Sequence, residues 1–203
     1  MKVGFGFSHA ADGDLRKDLN ARREWATSIG APREWATVRQ QHGAEVVRVS
    51  SPGDAGEADA LYTTVAGLGL AVFTADCAGV VVGSEKGVGV AHAGWRGARS
   101  GVVGKLVEAM RNAGIEITEA VIGPAIGPCC FEVGPEVAEE FAGFVTTTTW
   151  GTTSADLPSS IRSQLAPLSV LSAGDCTYHQ TQYWSHRRDG ARERMAAVAW
   201  LDE

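Results

Sequence analysis

The sequence lacks any apolar run long enough to cross a membrane. The longest such run, residues 65–73, has nine residues and includes two glycines, whereas a spanning helix needs about 18 or more. The first residues also lack the apolar segment that is typical of a secretory signal. We therefore expect a cytoplasmic protein that has no membrane partner.

Positive charge and cysteine are both scarce. The 203 residues carry 18 Lys and Arg against 24 Asp and Glu, which gives a formal net charge of −6, and such a surface repels phosphate backbones. Nucleic acid is therefore not an expected partner. The four cysteines are too few for a disulfide framework in a chain of this length. We expect free thiols, open to metal binding or nucleophilic chemistry.

Several common catalytic and cofactor motifs are missing. Residues 87–92 lack the third glycine of a dinucleotide fingerprint, and Gly104-Lys105 lacks the other residues of a phosphate loop. The chain also has no Gly-x-Ser-x-Gly, His-Glu-x-x-His or Cys-x-x-Cys sequence. Any chemistry must therefore come from residues that lie far apart in the sequence.

The hydrophobic pattern predicts one mixed α/β domain over residues 1–203. With 44% hydrophobic residues, the chain can bury a core without a structural metal. Strands are predicted at residues 3–7, 35–40, 45–49, 68–73, 80–82, 88–91, 119–123, 169–172 and 195–201. Helices are predicted within residues 15–29, 102–110, 135–141 and 157–165. We interpret 52–56 as a turn-rich segment and the Thr-rich segment 146–153 as a surface loop or edge. Hairpins occur beside strand–helix alternation, so mixed sheets are favoured over purely parallel ones.

Three side chains suit a metal site. His42, Cys77 and His92 each lie in a turn signal at or near the end of a predicted strand, and strand ends are where α/β proteins assemble sites. Two imidazoles and one thiolate form a known catalytic zinc set with an open fourth position. Spacing alone leaves a second interpretation open, in which His92 makes a hydrogen bond in a Gly-rich turn and Cys77 is a small core residue.

Five sequence blocks then point to a known family. They are Gln40-Gln41-His42-Gly43 with Val46, Thr74-Ala75-Asp76-Cys77, residues 91–97 (AHAGWRG), residues 123–134 (GPAIGPCCFEVG) and residues 185–190 (SHRRDG). In this order, they resemble the signature blocks of the YfiH-like family, also called the laccase-domain or multicopper polyphenol oxidase family. Gly79 departs from the pattern, which has a proline there, and the chain is short between Ser8 and Leu15.

The resemblance implies a fold, a metal and an activity. The implied fold is a single domain of mixed sheets between outer helices, with α/β/β/α layers similar to the catalytic domain of cytotoxic necrotizing factor. The implied metal is one zinc ion held by His42, Cys77 and His92. The implied activity is phosphorolysis of adenosine, inosine and methylthioadenosine, with deamination of adenosine as a further reaction. Purine nucleoside and phosphate are then the expected partners, and the oligomeric state is left open.

Alternative functions use the same residues. Five histidines are few for a multicopper oxidase, so one metal is expected, with copper as a substitute for zinc and polyphenol oxidation as an alternative activity. A cysteine hydrolase would use Cys77 as nucleophile and His92 as base, but would have little use for His42. A non-enzymatic factor that edits peptidoglycan precursors is a third possibility that the family descriptions suggest.

Further residues receive predicted roles around the metal. Arg96, Arg187 and Arg188 are candidate phosphate ligands, since arginine can hold phosphate through two hydrogen bonds, and Asp59 is a candidate substrate ligand. Asp76 is expected to act with Cys77 and His92 in catalysis, and either Asp76 or Glu132 could carry a proton. Trp95 could stack on a base. Cys129 and Cys130 receive no role.

Overall fold

The computed structural model describes residues 2–202, which form two large β-sheets, a two-stranded ribbon and six α-helices. The strands are β1 (Val3–Phe7), β2 (Trp35–Arg39), β3 (Val46–Arg48), β4 (Gly53–Glu57), β5 (Ala60–Thr63), β6 (Gly69–Thr74), β7 (Ala78–Ser84), β8 (Gly87–Ala93), β9 (Glu119–Ile122), β10 (Val145–Thr147), β11 (Thr153–Ala155), β12 (Val170–Ser172) and β13 (Met195–Leu201). The helices are α1 (Leu19–Ser28), α2 (Trp95–Arg99), α3 (Val102–Asn112), α4 (Pro135–Glu140), α5 (Leu157–Ser163) and α6 (His186–Asp189).

Both large sheets are mixed, as the sequence predicts. The five-stranded sheet has the order β1-β13-β6-β2-β4, with parallel pairing of β2 to β6 and to β4 and antiparallel pairing elsewhere. The six-stranded sheet has the order β12-β9-β7-β8-β5-β3, with parallel pairs at its two edges. The ribbon of β10 and β11 is antiparallel.

Alternation along the strands separates the core into layers. In β13, Ala197 and Ala199 pack between the two sheets, whereas Ala196 and Val198 pack against α1. In β8, Val88 and Val90 face the other sheet, and Ala91 packs on the side of α2, α3 and α5. This period of two buries both faces of each strand. The predicted α/β/β/α layering is therefore confirmed; its likeness to the necrotizing-factor domain stays a prediction.

A glycine allows the two sheets to approach each other closely near the site. A Cβ atom at Gly79, in β7, would lie 2.2 Å from the Cβ atom of Ala197 in the opposite sheet. Real side chains never tolerate such a distance, because packed interiors have no spare volume there. The glycine that stands here in place of the family's proline therefore allows the two sheets to pack closely.

Most predicted strands and helices are present, with three differences. The segment interpreted as turn-rich contains β4, which pairs in parallel with β2 at the edge of its sheet. The Thr-rich segment forms part of the ribbon of β10 and β11. Residues 60–63, 95–99 and 186–189, for which no element was predicted, form β5, α2 and α6. In the described part of the chain, no helix has the length and apolar character that a membrane span requires.

Candidate metal and substrate site

A cavity of about 740 Å³, here called the main cavity, opens at one end of the sheets. Its wall includes His42, Cys77 and His92, here called the first cluster. One potential ligand atom from each of these residues lies within 4.8 Å of the others. The structure therefore brings together three side chains that are spread over 50 positions of the sequence, from His42 to His92.

Each residue of the first cluster is presented by a different element. Cys77 lies in the tight connection between β6 and β7, His92 lies within β8, and His42 follows β2. His42 has a φ of 58°, a left-handed conformation that a non-glycine residue adopts only when its surroundings hold it there. This conformation is fixed by the backbone N–H of His42, which donates a hydrogen bond to Asp59 Oδ1 at 3.0 Å.

The entry to α2 leaves room for the first cluster. A Cβ atom at Gly94 would lie 2.8 Å from Cys77 Sγ and 3.3 Å from the His42 ring. A larger residue would displace both groups, so the glycine at the start of this helix is required by close approach.

Asp59 lies behind the first cluster and orients it. Its buried carboxylate accepts hydrogen bonds from the backbone N–H groups of Gln41, His42 and Gly43 at 3.0, 3.0 and 2.7 Å. It also contacts His92 Nδ1 at 2.8 Å. Nδ1 is therefore the protonated nitrogen, and Nε2 is left for a metal, which is the usual arrangement behind a metal-bound histidine. We predicted that Asp59 binds substrate; the structure instead places it outside the lining of the main cavity.

Asp59→Asn should lower zinc affinity about 10- to 100-fold, the usual effect of losing a carboxylate behind a ligand. The amide keeps the shape but lacks the charge that holds His92 and the turn that carries His42. Competition with a chromophoric chelator measures the change. Asp18→Asn is the matched control, because Asp18 caps α1, lies outside the lining of the main cavity, and asparagine caps equally well. Equal zinc affinities in the wild type and in Asp59→Asn would show that Asp59 does not orient the first cluster.

The metal-free first cluster holds a thiolate beside a protonated imidazole. Burial acts to raise the pKa of Cys77, but the charge of His92 and hydrogen bonds from both histidines outweigh it and lower that pKa to about 6. Burial acts to lower the pKa of His92, but Cys77 and Asp59 outweigh it and raise that pKa to about 9. Near neutral pH the thiolate is thus available to a metal, whereas His92 must release a proton when it binds one.

Asp76, next to Cys77, anchors the part of the main cavity wall that carries Arg187. Its buried carboxylate accepts the Thr177 hydroxyl at 2.7 Å and the backbone N–H of Arg187 at 2.6 Å. Its φ of 82° is again in the left-handed region. Both carboxylate oxygens are therefore engaged in holding the chain that carries Arg187, and Asp76 also lines the main cavity.

The three predicted phosphate ligands occupy different surroundings. Arg96 and Arg187 are exposed and line the main cavity, where Arg96 stacks on Trp95 at 4.3 Å and Arg187 lies 5.3 Å from the Phe131 ring. Arg188 is absent from that lining. Its guanidinium donates instead to backbone carbonyls of the following residues: Thr177, Tyr178, Gln180 and Tyr183. Arg188 thus supports the loop rather than the cavity wall.

Glu132 lies apart from the first cluster. Its exposed carboxylate accepts the indole N–H of Trp150 at 2.7 Å and lines a smaller cavity, which Arg187 also reaches. Of the two predicted proton carriers, only Asp76 lies in the main cavity.

Sequence reasoning missed several residues of the main cavity. Gln40 uses its side-chain amide to pair with both the backbone N–H and the carbonyl of Phe73, each at 2.8 Å. Phe73 itself, Phe131 and further arginines also line the cavity: Arg16, Arg22, Arg39 and Arg194. Gln40 stands in a family block, which was a usable signal. The arginines lie outside the quoted blocks and come together only through folding.

The first cluster fits a catalytic metal ion. It offers three mutually close ligands, one of them an ionised thiolate, and His92 has the oriented nitrogen that a ligand needs. Because the cluster faces the main cavity, a fourth position would point toward substrate.

Residues 6–202 match the family model described as multi-copper polyphenol oxidoreductase laccase. The chain belongs to this family. The predicted membership of the YfiH-like family is therefore confirmed, since relatives and solved structures that carry that name match as well.

Named relatives cover nearly the whole chain. A Streptomyces griseus protein named purine nucleoside phosphorylase is 37% identical over 95% of this chain and 85% of its own length. Escherichia coli YfiH, also named a purine nucleoside phosphorylase, is 34% identical over 96% of this chain and 84% of its own. The crystal structure of YlmD from Geobacillus stearothermophilus superposes with a TM-score of 0.87 at 28% identity, covering 99% and 92% of the two chains.

Proposed function

We propose that this chain is a zinc-dependent enzyme that cleaves purine nucleosides with phosphate and also deaminates adenosine. Adenosine, inosine and methylthioadenosine are the proposed substrates of cleavage. The observation that carries the proposal is the first cluster at the wall of a cavity lined with arginines and aromatic rings. Relatives named purine nucleoside phosphorylase support the substrate class.

His42, Cys77 and His92 would hold the zinc ion, which when bound would supply Lewis acidity to a group in the main cavity. In phosphorolysis, a phosphate oxygen forms a bond to C1′ of the ribose while the bond from C1′ to the purine nitrogen breaks. The electron pair of that bond leaves with the purine, which takes up a proton. The protein must therefore hold an anion and a flat base in one cavity.

In this proposal Arg96 and Arg187, which both line the main cavity, hold the anion. Contacts hold both side chains in position: the Arg96 guanidinium stacks on the Trp95 ring, and the Arg187 guanidinium donates a hydrogen bond to the Glu132 carbonyl at 2.7 Å. Pre-positioned guanidinium groups stabilise phosphate charge without reorganising during the reaction. Phe73, Phe131 and Trp95 supply faces on which a purine could stack. Asp76 fixes the backbone of Arg187 and is the proposed proton carrier.

Arg96→Ala and Arg187→Ala should each lower kcat/KM for phosphorolysis about 100-fold. Deamination should fall much less, because water rather than phosphate is the nucleophile. The ratio of the two rates on adenosine, with and without phosphate, measures the difference. Arg111→Ala is the matched control, since Arg111 is an exposed residue at the end of α3, outside the cavity. Equal losses in both reactions would mean that these arginines hold the nucleoside or the fold.

Copper-dependent oxidation of phenols is the second candidate, favoured by the description of the family model. One thiolate and two imidazoles also form a ligand set that copper accepts, and copper binds such sites more tightly than zinc. Oxidation after copper loading would therefore not establish a native oxidase. Protein purified with copper that oxidises phenols but leaves purine nucleosides intact would favour this candidate over the zinc enzyme.

A further inference from the structure

A second group of metal-ligand side chains lies outside the main cavity. Cys129, Cys130, Cys176 and His179, here called the second cluster, place one ligand atom each within 4.8 Å of all the others. None of the four lines the main cavity, and all three cysteines are free thiols. No step of the proposed reaction uses them.

We propose that the second cluster is a structural zinc site. Cys130 Sγ lies 3.4 Å from Cys129 Sγ and 3.3 Å from His179 Nε2, and one ligand atom from each of the four residues lies within 4.8 Å of the others. Tetrahedral zinc with bonds of about 2.3 Å to sulfur and 2.0 Å to nitrogen separates its ligand atoms by about 3.5 to 3.8 Å. The two separations at Cys130 lie just below that range, so a metal requires only small side-chain movements.

The ligand set favours zinc and a closed site. Three thiolates and one imidazole fill all four positions of a tetrahedral ion, the arrangement of structural rather than catalytic zinc. Soft thiolate ligands also disfavour magnesium and calcium. The site is thus distinct in kind from the first cluster, whose three ligands leave one position open.

The backbone already holds the two halves of the second cluster together. Cys176 Sγ accepts the backbone N–H of Gly127 at 3.3 Å, and Cys176 pairs with Ala125 in a parallel bridge. A Cβ atom at Gly127 would lie 3.4 Å from Cys176 Cβ, so the glycine lets the two segments approach. On the other side, the N–H groups of His179 and Gln180 donate to the Cys176 carbonyl at 3.1 and 3.0 Å.

A metal here would stiffen the wall of the main cavity. Thr177 lies between Cys176 and His179, and its hydroxyl binds Asp76. The Thr177 carbonyl accepts a hydrogen bond from Arg188, the neighbour of Arg187. The second cluster would therefore fix the loop against which Asp76 and Arg187 are held. This inference is independent of the reaction proposed above, because it concerns metal content and stability.

The test uses the full chain with the first cluster removed by Cys77→Ala and His92→Ala. Purified with zinc under reducing conditions, this double variant should retain about one zinc, against about two in the wild type. Cobalt added to its metal-free form should give intense thiolate-to-cobalt absorption. Chelation should lower its Tm by about 5 to 10 °C, the effect of removing a ligand present far above its Kd.

Adding Cys176→Ser to the double variant should remove the remaining zinc and the cobalt absorption. If that variant fails to fold, His179→Ala serves instead, because the His179 side chain is exposed; it should weaken zinc binding at least about tenfold. A double variant that is purified with no zinc, while the wild type carries one, would overturn the site. So would a folded double variant with free thiols that binds neither metal, or a disulfide among the three cysteines that persists in reductant. Loss of nucleoside turnover alone bears on the first cluster and not on this site.

Discussion

Cys77→Ala should lower turnover of adenosine, in both reactions, by more than about 1000-fold. The reason is that the variant loses the only thiolate of the first cluster, and a metal that stabilises reacting charge contributes several kcal/mol. The two remaining imidazoles hold zinc poorly. Metal analysis should show the loss of one zinc ion, and steady-state assays with adenosine measure the rate.

Arg111→Ala is again the control, since Arg111 is exposed at the end of α3 and lies outside the main cavity and both clusters. It should keep zinc in the first cluster. Its circular dichroism and that of Cys77→Ala should match the wild type. A Cys77→Ala protein that retains wild-type turnover would show that the thiolate takes no part in the chemistry.

Alkylation of Cys77 by iodoacetamide should be rapid in the metal-free protein and at least about tenfold slower with zinc bound. The thiolate is the reactive form, and the pKa of Cys77 is lowered to about 6. The metal-free rate should therefore rise with pH through about 6 and level off above 7. Zinc engages the same sulfur lone pairs, so reaction then requires metal release.

Mass spectrometry of each modified cysteine gives this rate. In the metal-free protein Cys130 should react more slowly than Cys77, because burial raises its pKa well above the usual value for a thiol. Equal rates with and without zinc, together with activity that survives a chelator, would favour the cysteine hydrolase with Cys77 as nucleophile and His92 as base.

The sequence predicted the long buried strands and helices because their periodicity is strong. β4 was missed because its residues, Gly-Asp-Ala-Gly-Glu, are typical of turns; its pairing with β2 at a sheet edge outweighs that preference. Likewise, the six threonines of residues 146–153 carry no clear period, and only tertiary pairing identifies the ribbon.

Strand ends explain why the sequence predicted the residues of the first cluster but not the role of Asp59 behind them. His42, Cys77 and His92 stand in turn signals beside predicted strands, so their convergence follows from the topology. The position of Asp59 depends instead on the register of β5 and β8, which pairs Ala60 with Ala91. That register sets Asp59 beside His92, and no local pattern encodes it.

Helix geometry separates the two neighbouring arginines that the sequence treated alike. Successive residues in an α-helix point about 100° apart. In α6, Arg187 accordingly faces the main cavity, whereas Arg188 reaches back to the carbonyls of the 177–183 loop. The second cluster was beyond prediction for a related reason, since Cys130 and His179 are 49 positions apart and meet only through packing.

Zinc removal and restoration test the central proposal most directly. Wild-type protein is assayed with adenosine, with and without phosphate, as purified, after exhaustive chelation and after zinc is returned. The account predicts that chelation abolishes both reactions, that zinc restores both, and that phosphate is required for cleavage alone. Metal-free protein that turns over adenosine at the full rate would contradict it, as would zinc-loaded protein that turns over no purine nucleoside in either condition.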